Sequence, residues 1–187
     1  MVAVRAPGQR SRGASLIEVL VTISILATGL FGLAGMQSRL QLSEMEAYQR
    51  AQAMILLADM GHRIAVNRNF AATYATPGPL GAGMTCPTVA LNLRDNDKRE
   101  WCLALQGAAE QIGTSRVGAM LGGRGCIEAL GTNEYLVTVA WQGMAPISAP
   151  PATNTCGKNL YNGATGSPCT NDLCRRIVTT IVRVAEL

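Results

Sequence analysis

The feature that most constrains this chain is a run of twenty residues, Val19 to Ser38, with no charged side chain. As a helix, such a run reaches across a bilayer core of about 30 Å. Core helices of soluble proteins are seldom apolar on every face for so long. Ahead of the run stand Arg5, Arg10 and Arg12, with no acidic residue among positions 1–13; behind it come Arg39, Glu44 and Glu46. The positive-inside rule puts residues 1–13 in the cytoplasm and the remainder on the far side of the membrane. A secretory signal peptide shares the arginine-flanked start, but its apolar core is only about 7–15 residues long. Leu33-Ala34-Gly35 is a weak cleavage site, so a retained anchor is expected.

Glu18 sits badly at the start of this segment. A carboxylate at the bilayer centre costs about 2.5–3.5 kcal/mol or more, and less within one turn of the interface. Two readings stay open. Glu18 either reaches headgroups and water, or is a charge held for a cationic partner in an apolar setting.

Composition narrows the function. The chain has 187 residues, a formal charge of +4, 4% aromatic residues and one histidine, His62. A lone His, with no Cys near it in sequence, offers no metal-ligand spacing, and no metal or cofactor is expected. Few aromatics and no basic cluster argue against a nucleic-acid platform. No nucleophile elbow or phosphate loop is present, and Gly122-Gly123-Arg124-Gly125 reads as a turn. An enzyme is not expected.

The downstream chain reads as α+β. Leu40, Ala47, Ala51, Met54, Ala58 and Ile64 suggest an apolar stripe at helical spacing, which makes residues 39–68 an amphipathic half-helix. A helix over 14–68 would be roughly 80 Å long. Residues 69–100 look irregular, with a turn-rich stretch at Thr76–Gly83 and a mixed-charge run at Arg94–Glu100 read as a solvated loop or helix start. Trp101–Ile112 is expected to be a short helix ended by Gly113. Cys126–Leu130, Tyr135–Trp141 and Ile177–Val184 are strand-like, and Gly131-Thr132-Asn133 suits a hairpin turn. An antiparallel sheet within 124–184, with a long loop from Gln142 to Arg176, is expected to pack on the amphipathic half-helix.

All six cysteines, Cys86, Cys102, Cys126, Cys156, Cys169 and Cys174, follow the membrane segment. An even count in an exported domain reads as disulfides. Cys86 with Cys102 is the expected pair, since they flank the charged loop. Cys126 is expected to bond one of the other three. The sequence does not choose the full connectivity.

The string Gly13-Ala14-Ser15-Leu16-Ile17-Glu18-Val19-Leu20 resembles the cleavage and methylation motif of type IV prepilins. The resemblance implies a leader over residues 1–13, cleavage between Gly13 and Ala14 by a prepilin peptidase, and N-methylation of Ala14. It also implies that Glu18 pairs with such an N-terminal amine during assembly. Ala14 departs from the phenylalanine usual at the first mature position. Ala27–Gln37, Ala47–Ala53, Ala58–Met60 and Arg63–Arg68 are similar to the PilV family of minor pilins, and major pilins typically carry proline where this chain has Gly35.

The resemblance implies a pilin-like α+β fold, divided into a leader (1–13), a transmembrane or filament-core helix (14–38) and a periplasmic headgroup (39–187). The implied function is priming type IV pilus assembly at or near the tip. The implied partners are other minor pilins, the pilus assembly platform, the prepilin peptidase and the bacterial inner membrane, with later exposure on the pilus. A minor pseudopilin of type II secretion is the nearest alternative. A tip adhesin or DNA-uptake receptor using the loop near 142–174 is another.

Overall fold

The computed structural model describes residues 15–108, 111–113, 115–116 and 120–185. The chain divides into two units, Met1–Ser43 and Glu44–Leu187. Helix α1, Leu16–Val66, runs through 51 residues that hold no proline. It starts where the Ser15 carbonyl accepts from the amides of Glu18 and Val19, at 2.9 and 3.2 Å.

In the second unit the buried face of α1 is Gln49, Ala53, Leu57, Met60 and Ile64, spaced four, four, three and four apart. This corrects the stripe expected from the sequence. Ile64 belongs to the buried face, but Leu40, Ala47, Ala51, Met54 and Ala58 are exposed. Alanines populate both sides of this helix, and the covered side is the one carrying the larger Leu57 and Met60. Gly61 brings α1 close to the sheet: a Cβ there would meet the Val182 methyl at 3.5 Å.

A 3-10 turn, Arg68–Tyr74, and a two-residue strand β1, Leu80–Gly81, follow. Helix α2 spans Leu93–Leu105. Its N-cap is Asn92, whose side chain accepts from the Asp95 amide at 2.9 Å. Its end is a Schellman turn: Ala108 donates to Leu103 O, Gly107 donates to Ala104 O, and Gly107 takes φ +79°. The expected helix Trp101–Ile112 is therefore displaced. It begins at Leu93, one residue ahead of the charged run, contains that run, and stops at Gly107, not Gly113. Residues 69–100 are accordingly less irregular than their composition suggested. Gln111–Ile112 (β2) and Ser115–Arg116 (β3) form a small antiparallel pair.

Strands β4 (Arg124–Gly131), β5 (Glu134–Gln142) and β6 (Arg175–Arg183) complete an antiparallel sheet in the order β1-β4-β5-β6. The β4–β5 hairpin turns at Asn133, φ +60°, with a bulge between Ala129 and Gly131. Alternation then sorts the faces. Tyr135, Val137, Val139 and Trp141 join Ile127, Trp101, Met60 and Ile64 in the main core. Cys126, Ala140 and Ile177 face the other way, against Cys156 and Tyr161 of the long loop. Helices cover one face of the sheet, and the long loop covers part of the other. The element types are thus α+β: a long N-terminal helix, a four-stranded antiparallel sheet and three disulfides.

Candidate functional site

Two regions of the described residues carry chemistry. The first is α1 within the first unit. This part of the helix is long and apolar enough to cross a membrane, and none of its most apolar window is buried. Leu16 is 82% exposed and Phe31 is 79% exposed. A water-soluble surface does not present a continuous band of this kind. The helix keeps its own polar groups occupied. Thr22 Oγ1 donates to Val19 O at 2.9 Å, and Thr28 Oγ1 donates to Ser24 O and Ile25 O. Such back-bonding is how hydroxyls are accommodated in an apolar helix.

Glu18 lies in the first turn of α1, where the helix dipole favours a negative charge. Among the described residues its carboxylate has no ion pair or side-chain hydrogen bond. Gly29, Gly32 and Gly35 have nothing within 4 Å of where a Cβ would stand. With Phe31, Met36 and Arg39, Gly32 and Gly35 line a shallow groove of about 370 Å³. Small residues of this kind let another helix approach closely.

The second region is a polar cluster in the head. Arg63 Nη1 donates to Asp97 Oδ1 at 2.9 Å and to Glu100 Oε2 at 2.8 Å, while its Nε bonds Asp59 one turn back. Tyr74 donates its hydroxyl to Asp97 Oδ2 and accepts from Asn67 Nδ2. Burial and the bond to Asp97 push the Tyr74 hydroxyl up to about 12. Hydrogen bonds from Arg63 and Asn96 hold Glu100 below its usual value. Burial works to lower the Arg63 guanidinium, but its pairing with Glu100, Asp59 and Asp97 raises it overall. The cluster clamps the end of α1 to α2 and the 3-10 turn. The spacing of Asp59 to Arg63 is visible in sequence; the approach of Tyr74 to Asp97 leaves no sequence signal.

The residues singled out from sequence fall as follows. Gly13 and Ala14 lie outside the described residues, so the structure places neither beside Glu18. His62 is exposed on α1. Cys86 bonds Cys102, Cys126 bonds Cys156, and Cys169 bonds Cys174. The second bond ties the long loop to β4. Arg175, 1% exposed, reinforces it by donating to the Asn154 and Cys156 carbonyls at 3.0 and 2.9 Å. Its Nε stands 3.3 Å from Asp172 Oδ2, an ion pair without hydrogen-bond alignment. Neither Arg175 nor Asp172 was singled out from sequence. Among the described residues no group of three His, Cys, Asp or Glu side chains gathers to hold a metal.

Taken together, these features define a disulfide-bonded α+β head that follows a long apolar helix in sequence. Compared with family models, curated proteins and solved structures, the chain matches none.

Proposed function

We propose that this chain is a minor pilin, an assembly subunit that enters a type IV filament complex through α1. The observation that carries the reading is the helix itself: its apolar surface is uncovered, and Glu18 stands in its first turn with no described partner. A lone carboxylate in an apolar helix is expensive unless a cation meets it. The prepilin-like string Gly13–Leu20 supplies one, the methylated amine of Ala14, on the same or a neighbouring subunit. The glycines on α1 suit close packing between such helices. The disulfide-bonded head fits an oxidising compartment, with other minor pilins and the assembly platform as partners.

The test is the intact mass and N-terminal sequence of the chain expressed with and without a prepilin peptidase. The expected product begins at N-methylated Ala14 only when the peptidase is present. An uncut chain, or one cut near Gly35, overturns the reading. Loss of piliation on deletion, with secretion intact, separates a pilus from a type II secretion pseudopilus.

A further inference from the structure

β6 is the outer strand of the four-stranded sheet, and among the described residues no strand pairs with its far side. The register fixes where its backbone groups point. Val184 donates to Asn133 O at 2.9 Å, so even-numbered residues of β6 exchange hydrogen bonds with β5. Ile177, Thr179 and Ile181 therefore turn both N–H and C=O away from the sheet. The opposite edge is blunted, its outer strand β1 being only two residues long. There Leu80 and Gly81 pair with β4, and Thr76 donates to Ile127 O at 2.9 Å.

Edge strands are usually guarded by charge, proline, a bulge or short length. β6 has none of these between Arg176 and Arg183. Its middle, Ile177-Val178-Thr179-Thr180-Ile181-Val182, is β-branched at every position, and its pairing with β5 is unbroken. Ile181 is half exposed and Thr179 exposed. The flanking charges are already met, Arg175 by Asp172, Arg176 by Glu46 and Arg183 by Glu134. The edge asks for an uncharged, β-branched strand, not for an acidic one.

β6 answers that description itself. Laid antiparallel about Thr179, two copies set Ile177 opposite Ile181 and Thr179 opposite Thr179. The outward backbone groups of these three residues then meet their counterparts. Shifting the axis by one residue sets Arg183 opposite Ile177, or Arg175 opposite Ile181. We propose that the free edge of β6 docks β6 of a second copy of this chain, antiparallel about Thr179, joining two four-stranded sheets into one. The proposal goes beyond the filament reading and does not depend on it.

Every cysteine of the chain is in a disulfide, so a Thr179→Cys variant carries one free thiol. The full chain in detergent micelles, treated with a short bismaleimide, is expected to give a covalent dimer joined at position 179. Lys158→Cys, on the exposed loop, is expected to stay monomeric. Adding Ile181→Pro to Thr179→Cys removes an outward N–H that the chain's own sheet does not use, as edge prolines do. The dimer yield is then expected to fall about tenfold or more, with unfolding unchanged. If that variant does not fold, Ile181→Lys makes the same test. No dimer at position 179, equal cross-linking at position 158, or a yield that the edge substitution leaves intact would overturn the proposal.

Discussion

Arg63 ties α1 to α2 through its ion pairs with Asp97 and Glu100. Replacing it with Met keeps most of the stem packing but leaves the buried Asp97 with Tyr74 alone. Breaking a buried pair from one side costs about 3–5 kcal/mol. Here Asp59 and Glu100 are partly exposed and return to water, so Arg63→Met is expected to cost about 2–3 kcal/mol. Denaturant unfolding followed by the buried Trp101 and Trp141 reads this directly; a cost under about 0.5 kcal/mol would mean the cluster is ornamental to stability. The same cluster sets a pH window. Tyr74 titrates near 12 in the folded chain against 10.0 free. Its neutral form is favoured by folding, so its contribution is complete below pH 10.0 and is lost as pH rises towards 12. Glu100 runs the other way: its value is lowered, so its contribution is present above 4.5 and fades on acidification. Absorbance at the phenolate band is expected to show late titration of Tyr74 and Tyr161, the latter also raised by burial. Tyr74→Phe is expected to shrink the alkaline loss of stability, leaving the part that Tyr161 carries.

At the scale of elements, two glycines do opposite work. Gly61 lies inside α1 with room for a methyl group against Val182 at 3.5 Å. Gly61→Ala is expected to stabilise the head by about 0.5–1 kcal/mol through helix propensity, while Gly61→Leu is expected to push α1 off β6 and lower the midpoint of unfolding. Gly125 leaves no such room, because a Cβ there would run into the Trp101 ring. That ring is also fixed by its Nε1–H bond to Leu56 O at 2.9 Å. Gly125→Ala is therefore expected to cost about 3 kcal/mol or more in the same unfolding measurement. These contacts also explain what could be read in advance. The three long strands were legible because apolar and β-branched runs bounded by turn residues are local signals, and Gly131–Asn133 marked the hairpin. The buried stripe of α1 was not, since alanines blur the helical period and only the sheet decides which face is covered. Helix α2 starts at Leu93, just ahead of the mixed-charge run; such a run suits a loop and a helix start alike, and only the cap spacing of Asn92 and Asp95 favours the helix. Gly107 stopped the helix, but several later glycines competed for that role. Arg63, Tyr74 and Asp97 meet from three separate elements, and no sequence interval brings them together.

At the scale of the whole molecule, the assembly role proposed for Glu18 can be tested apart from membrane insertion. An apolar helix inserts more readily without a carboxylate, by about 2.5–3.5 kcal/mol or more at the bilayer centre and less near the interface. If Glu18 served only to sit at the headgroups, Glu18→Val would leave every later step intact. If it awaits the Ala14 amine, the substitution removes one half of an ion pair formed away from water, where such pairs are strongest. Glu18→Val is therefore expected to fractionate with membranes as well as the parent chain does, with its three disulfides formed. Under the proposed minor-pilin role, its co-purification with other pilins and its recovery in sheared filaments are expected to fall at least about tenfold. Glu18→Asp, which keeps the charge on a shorter arm, is expected to recover part of that loss. Normal recovery of Glu18→Val in filaments would remove the amine pairing and leave α1 as a plain anchor.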